Sequence, residues 1–310
     1  MKKVVFLFDG QGAFKPGIGR ELYAKYQKAK EIIEHSSSIL NYDLKKYIWG
    51  EEASKTSSLT SVAQPAISVI SLAYAEILKE MGISGSVSLG HSLGEATAIV
   101  YCEVLDFSDG IRMIKKRGEV MEKGGKEGTM MAVINVDMNL LEKECQRISD
   151  EIKEPVVIAN INAPNQIVVS GSKEGIKRIA QFATQNKGRG ILLEVGGAWH
   201  SPYLSDASEE FANFLDTLEF KDPKKDFYSV VDQKILTSKE AIKDSLKRQM
   251  LSRVNWVMAI ENLKRMGYDL FLEIGPSRIL KDLVAKIDSS IQVDSVALYT
   301  ELDEVKKKLL

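Results

Sequence analysis

Histidine and cysteine are scarce in this chain: His35, His91 and His200, with Cys102 and Cys145, in 310 residues. A three-histidine metal centre would use every histidine, and two cysteines can build neither a four-cysteine zinc site nor a disulfide framework. No excess of one charge exists either, because 42 Lys+Arg stand against 43 Asp+Glu for a formal net charge of −1. Dedicated binders of nucleic acid or anionic membranes carry a strong basic bias, so neither partner is expected. Apolar runs are short. The first, Val4–Phe8, stops at Asp9-Gly10, below the roughly 7–15 residues of a secretory h-region. No stretch reads as approaching the ~20 apolar residues of a membrane span. The expected compartment is the cytoplasm.

What is present is ordinary soluble composition, 44% hydrophobic and 27% charged. The length suggests about two domains, or one with an insertion. A chain of this size buries about three quarters of its unfolded surface and needs no metal or disulfide support.

The apolar run Val4–Phe8 reads as a buried strand opening into a glycine-rich loop over residues 9–19, followed by helical composition over 20–40. Pro65 stands near the start of a strongly apolar helix over 66–81, as proline tolerates a first turn. Residues 85–89 read as a strand, 90–94 as a turn and 95–105 as a helix, which points to an α/β core. The middle of the chain reads strand 130–136, helix 139–149, strands 156–160 and 166–170, helix 173–185, strand 191–195. That β-α-β-β-α-β order is ferredoxin-like, with residues 162–165 as the hairpin turn. Glycines 124, 125 and 128 before it, and 196 and 197 after it, read as hinges. The expected organisation is a large domain of residues 1–127 and 198–310 with an inserted subdomain, 128–197. After residue 200 come helix 208–218, strand 227–231, helices 241–251 and 257–266, strand 270–274 and helix 278–287.

Gly90-His91-Ser92-Leu93-Gly94 fits G-x-S-x-G, the nucleophile elbow. Its glycines permit a sharp strand-to-helix turn that projects the serine oxygen, and the residue after the serine offers an oxyanion-hole N–H. A serine needs a base, and three histidines make this a short search. His91 adjoins Ser92 and should project away from it, in a packing or hydrogen-bonding role. His35 lies in a polar stretch and reads as a surface residue. His200 sits in a glycine-rich return, residues 196–202, and is the candidate general acid/base. No acid to orient it stands out between Ser92 and His200, so a dyad oriented by a backbone carbonyl or an amide side chain is expected. The loop after the first strand has Lys15 where a dinucleotide fingerprint needs glycine, and no phosphate-loop motif occurs. That loop could instead offer a backbone N–H to an oxyanion.

Six spaced motifs now carry a resemblance. Gly10-Gln11-Gly12, Gln64-Pro65-Ala66, Gly90-His91-Ser92-Leu93-Gly94-Glu95, Lys116-Arg117-Gly118, Ala198-Trp199-His200-Ser201 and Gly275-Pro276-Ser277 span essentially the whole chain. In order and spacing the chain resembles malonyl-CoA:acyl-carrier-protein transacylases, including the free-standing trans-acting acyltransferases of polyketide synthases. The resemblance implies an α/β-hydrolase-like domain with a ferredoxin-like insertion. It implies Ser92 as nucleophile, His200 as base, and backbone N–H groups of Gln11 and Leu93 as the oxyanion hole. Arg117 would pair with the free carboxylate of a malonyl group, since a guanidinium grips a carboxylate with two hydrogen bonds. Gln249 matches the glutamine whose carbonyl orients the histidine, and His91 and Trp199 would lie at the substrate.

The departures concern the pocket. Asp9 replaces a proline, Phe14 a glutamine, and Trp199 stands where the family has Phe in malonyl-selective and Ser in methylmalonyl-selective members. The indole would narrow the acyl pocket or swing aside for a longer chain. The implied reaction moves malonyl from coenzyme A to an acyl carrier protein through a Ser92 ester, with no resident cofactor and a monomer as the acting unit. The rival readings are a hydrolase that clears stalled acyl groups from carrier proteins, and a non-catalytic carrier-docking module. An acidic carrier would favour a basic patch at the mouth, for which Lys115, Lys116, Lys187 and Arg189 are candidates. Both cysteines read as small core residues.

Overall fold

Every residue of the first strand, β1 (Val4–Phe8), is buried, as a strand covered on both faces requires. Val4, Phe6 and Phe8 enter one hydrophobic cluster while Val5 and Leu7 enter another, the period-two alternation of a pleated strand. The computed structural model that reveals this describes residues 3–56 and 59–310. Its further strands are β2 (Val87–Gly90), β3 (Gly128–Ile134), β4 (Val156–Ala163), β5 (Gln166–Ser172), β6 (Arg189–Leu192), β7 (Asp226–Ser229), β8 (Lys234–Leu236), β9 (Val254–Asn255), β10 (Leu270–Ile274) and β11 (Gln292–Val296).

Two sheets result. The larger runs β11-β10-β1-β2-β7-β8, parallel from β11 to β7, with edge strand β8 antiparallel to β7. Helices cover both faces, giving the α/β-hydrolase-like body that the sequence led us to expect. The smaller sheet, β6-β3-β5-β4-β9, contains the β-α-β-β-α-β unit with helices Met138–Ile152 and Lys173–Gln185 on one side. Its fifth strand, β9, comes from much later in the chain and pairs parallel with β4. The two glycine-rich crossings between the sheets lie side by side, with Ala198 N donating to Gly125 O at 2.9 Å.

Several local expectations change. Residues 20–40 form two helices, Arg20–Lys25 and Gln27–Leu40, because Tyr26 turns extended between them with its N–H closing the first on Leu22 O. Pro65 is inside the helix Thr60–Glu80 and not in its first turn. The helix begins early because Glu122, on the helix Phe107–Lys123, accepts from Ser61 N and Ser61 Oγ at 2.8 and 2.7 Å, supplying a cap from outside. Thr60–Glu80 also corrects the reading that no segment approaches membrane-span length. Its 21 residues qualify by length and composition, but 83% of its most apolar window is buried inside the fold. The elbow helix runs Leu93–Tyr101, ending early where Glu103 turns left-handed at φ 58°. Strand β11 and the final helix, Glu301–Leu309, were not anticipated.

Candidate active site

The site lies at the carboxyl ends of the neighbouring parallel strands β1 and β2, the end of the strands at which an open α/β fold usually places its ligand. Strand β2 ends at Gly90, and Ser92 then adopts φ 52° and ψ −103° immediately before the helix Leu93–Tyr101. This tight turn depends on close approach. A Cβ on Gly90 would fall 1.9 Å from Gly94 C, and one on Gly94 would fall 1.9 Å from Phe8 O. Both glycines of the motif are therefore required by packing, one inside the turn and one against β1.

Ser92 Oγ lies 2.8 Å from His200 Nε2. On the other side of the ring, His200 Nδ1 donates to two main-chain carbonyls, Ser252 O at 3.0 Å and Gln249 O at 3.2 Å. Carbonyls only accept, so Nδ1 carries the proton and the lone pair of neutral Nε2 faces the serine. Burial, then the positive charge of Arg117, push the imidazole down to about 3, so it stays neutral and able to take a proton. His200 is buried and itself left-handed, φ 54°. The turn after it is capped by Ser201, whose Oγ accepts from Tyr203 N and donates to Ala198 O at 2.6 Å.

Arg117 is completely buried, and its helix, Phe107–Lys123, aims the guanidinium at the same serine. Nη2 donates to Ser92 Oγ at 3.1 Å and to Gln249 Oε1 at 2.8 Å. Nε donates to Gln249 Oε1 at 3.1 Å, and Nη1 to Gln64 Oε1 at 2.9 Å. Among the described residues it has no ion-pair partner. Amide oxygens at about 1.5–3 kcal/mol per charge-assisted bond offset the several kcal/mol of burying a cation. Burial lowers its pKa to about 10, against the pull of Glu95, so the charge persists at neutral pH. The amides are held in turn. Gln249 Nε2 donates to Glu95 Oε2 at 2.7 Å and to Ser92 O at 2.9 Å. Gln64 Nε2 donates to Gln11 Oε1 at 3.1 Å, and Gln11 Nε2 to Thr60 Oγ1 at 3.3 Å.

The N–H groups of Gln11 and Leu93 have no acceptor among the described residues. The loop carrying Gln11 abuts the elbow, since a Cβ on Gly10 would lie 3.0 Å from His91 O. Beside them opens a cavity of about 400 Å³, lined by Gln11, His91, Ser92, Trp199 and His200, with Met130, Asn160, Asn162, Val168 and Leu193 from the small sheet and its flank. Ile279 and Leu283 close the far side. Trp199 is 8% exposed and its Nε1 finds no hydrogen-bond partner among the described residues. His91 turns away from the serine: Nε2 lies 2.8 Å from Asn162 Oδ1 and the ring meets Trp256 edge-on. His35 is exposed and stacks on Phe107.

None of the four candidate basic residues lines this cavity. Lys116 pairs with Glu210, and Lys115 donates to Leu40 O at 3.1 Å. The cysteines are buried and free, with burial raising both thiols to about 12. Among the described residues, no group of three or more His, Cys, Asp and Glu could hold a metal ion. Three participants had no assigned role in the sequence reading. Gln64 and Glu95 stood within the motifs of the resemblance with no part assigned to them, and the Ser252 carbonyl has no side-chain signature at all.

A model of the acyl transferase domain family matches residues 5–304. The malonyl CoA-acyl carrier protein transacylase of Bacillus subtilis (strain 168) is 35% identical over 300 residues, covering 96% of this chain and 94% of that protein. A solved acyl-carrier-protein S-malonyltransferase from Burkholderia pseudomallei 1710b superposes with a TM-score of 0.93 at 29% identity, over 98% of this chain and 99% of that one. A malonyl-transacylase solved in complex with its type II polyketide-synthase acyl carrier protein gives 0.94 at 28% identity, over 99% of this chain and 100% of that one.

Proposed function

This chain belongs to the acyl transferase domain family, and we propose that it moves malonyl from coenzyme A to the phosphopantetheine thiol of an acyl carrier protein. The observation that carries the substrate is Arg117, a buried guanidinium 3.1 Å from Ser92 Oγ that is hydrogen-bonded by amides and, among the described residues, by no carboxylate. A malonyl carboxylate stands one methylene beyond the carbonyl that the serine attacks, within reach of that guanidinium, and would complete its charge pairing.

The steps follow from the groups present. Ser92 Oγ attacks the thioester carbonyl while His200 Nε2 takes its proton. The resulting oxyanion is held by the free N–H groups of Gln11 and Leu93. Collapse expels the coenzyme A thiolate, which receives the proton from His200 Nε2, leaving malonyl esterified to Ser92. The carrier's thiol then gives its proton to His200 and attacks the ester, and the second tetrahedral species returns Ser92 with its proton. The carbonyls of Gln249 and Ser252 keep the imidazole in the required tautomer, replacing the acid of a triad. The Gln249 side chain also holds Arg117, so one residue sets both the base and the carboxylate receptor. Trp199 narrows the acyl pocket, and His91 braces the elbow through Asn162. Residues 128–197 act as the inserted subdomain forming one wall of the cavity. We read the enzyme as cytoplasmic, acting as a single chain and drawing on no resident cofactor.

Intact-mass analysis after incubation with malonyl-CoA tests the reading. A malonyl adduct should form on the wild type, be absent from Ser92→Ala, and pass to a holo acyl carrier protein. An adduct on Ser92→Ala would overturn the assignment of the nucleophile. Rapid loss to water with no transfer would instead establish the hydrolase, and no adduct from any acyl thioester would leave a docking module.

A further inference from the structure

We propose that Asp9 and Glu273 share one proton through Ser277, and that this buried acid pair is a positioning device joining the Gln11 loop to the opposite wall of the cavity. The proposal rests on the transfer reaction above and adds a control to it. Ser277 Oγ lies 2.8 Å from Asp9 Oδ1 and 2.9 Å from Glu273 Oε1, and it accepts from Ile279 N at 3.2 Å. A hydroxyl has one proton. With both carboxyls ionised, one of the two short oxygen contacts would have no hydrogen in it, so one carboxyl must be protonated and donate to Oγ.

The surroundings say which. Glu273 accepts from Leu280 N at 3.1 Å and Lys281 N at 2.8 Å, while Asp9 accepts one backbone bond, from Ser277 N at 3.1 Å. The better-solvated anion is Glu273, and the proton falls to Asp9. Burial, then the neighbouring Glu273, accordingly push the Asp9 carboxyl well above its usual range. Both side chains are almost wholly inaccessible, 1% and 0% exposed, where two like charges side by side cannot both persist.

Among the described residues no cation forms an ion pair with either carboxyl to replace the proton. Arg278 is the nearest cation acting on Glu273, but its guanidinium is engaged by Glu301 and is shared electrostatically with Asp282, and the Lys281 side chain points to Asp294. From the helix Thr60–Glu80, Tyr74 gives its hydroxyl to Ala297 O, and Ser71 Oγ is unpartnered. From the turn after β2, the His91 ring beside Gly10 is held neutral by burial. Packing is tight enough that a Cβ on Gly275, φ 152°, would strike Asp9 Oδ2 at 2.4 Å.

The clamp touches both sides of the site. Asp9 is two residues before Gln11, whose N–H is a proposed oxyanion donor. Ser277 and Glu273 hold the start of the helix Ile279–Ile287, which carries Ile279 and Leu283 into the cavity wall. Loss of the shared proton at high pH would set two buried anions against each other and pull the donor loop from its station.

The test is the pH dependence of acylation by malonyl-CoA, read as kcat and KM, in wild type, Asp9→Asn, Glu273→Gln and Asp9→Ala. Asp9→Asn keeps a neutral donor and acceptor, so its kcat should match wild type at neutral pH and lose the alkaline decline. Glu273→Gln should flatten the same limb. Asp9→Ala should lower kcat roughly tenfold to a hundredfold at neutral pH with KM little changed, toward the loss of one oxyanion donor. An alkaline limb unchanged in Asp9→Asn, or wild-type kcat in Asp9→Ala, overturns the proposal. Infrared spectroscopy provides a readout independent of turnover. A protonated-carboxyl band should persist at neutral pH in wild type and vanish in Asp9→Asn, and its absence from wild type also overturns the proposal. An enzyme that keeps this band but transfers no malonyl would refute the transfer reading and leave the shared proton standing.

Discussion

Ser92 Oγ lies 2.8 Å from His200 Nε2, and both residues hold left-handed backbone, φ 52° and 54°. Each such conformation costs about 1–3 kcal/mol, a substantial part of the 5–15 kcal/mol that stabilises a typical domain. Two strained residues from chain segments more than a hundred positions apart meet at one hydrogen bond. Strain sustained at both ends of a contact is the mark of a site whose geometry is held by the rest of the fold. Ser92→Ala and His200→Ala should each reduce transfer by about four orders of magnitude or more. Combining them should add little, because they act as one unit. Steady-state rates of the two single variants and the double variant check this, and a multiplicative double effect would contradict it.

Arg117 should decide which acyl group is used. Arg117→Ala removes the carboxylate receptor while leaving Ser92 and His200 in contact. The kcat/KM for malonyl-CoA should fall by roughly 10- to 100-fold, the worth of one or two charge-assisted hydrogen bonds. Acetyl-CoA, which has no carboxylate, should lose much less. The ratio of the two specificity constants is the measurement, and an unchanged ratio would remove Arg117 from substrate selection.

Trp199 should set the width of the acyl pocket. Its indole is 8% exposed on the cavity wall and its N–H has no partner among the described residues, so nothing polar is lost when it is trimmed. Trp199→Ser should raise the rate with methylmalonyl-CoA relative to malonyl-CoA, by up to about the 10- to 200-fold that one methyl group is worth in a fitted pocket. Competition between the two thioesters, read by the mass of the acyl-enzyme, reports it. An unaltered product ratio would mean the indole does not bound the acyl group.

Elements with a clear apolar pattern could be read close to their limits. Val4–Phe8 and Leu270–Ile274 are buried on both faces, and Lys173–Gln185 is a capped amphipathic helix. β11 escaped because Gln292-Val293-Asp294-Ser295-Val296 interleaves polar residues at a half-exposed edge. The serine and the histidine were legible because glycine-rich motifs surround them, whereas the arginine, following two lysines on a helix, was legible only through the family resemblance. The hydrogen bonds that align them were not, since Gln64, Arg117 and Gln249 come together only through the fold. The carbonyls that orient His200 are backbone groups, which every residue has, so no residue type announces them.

The pH behaviour of acylation follows from what surrounds His200. An ordinary imidazole titrates near 6.5, whereas burial and then Arg117 push this one down to about 3. The base works only when neutral, so acylation by acetyl-CoA, measured by rapid quench, should stay level from pH 8 down to about pH 5. Stability should behave differently. The unfolded histidine takes up a proton below its ordinary pKa while the folded one does not, so this residue's contribution is present above about 6.5 and is lost as pH falls toward 3, at about 1.4 kcal/mol per pH unit. Activity should therefore hold while the unfolding temperature declines over the same range. Arg117→Gln removes the second cause of the depression, and the acid limb of acylation should move upward toward neutrality. A wild-type limb already centred near 6.5 would mean that His200 is hydrated in solution and that the closed geometry does not describe the reacting enzyme.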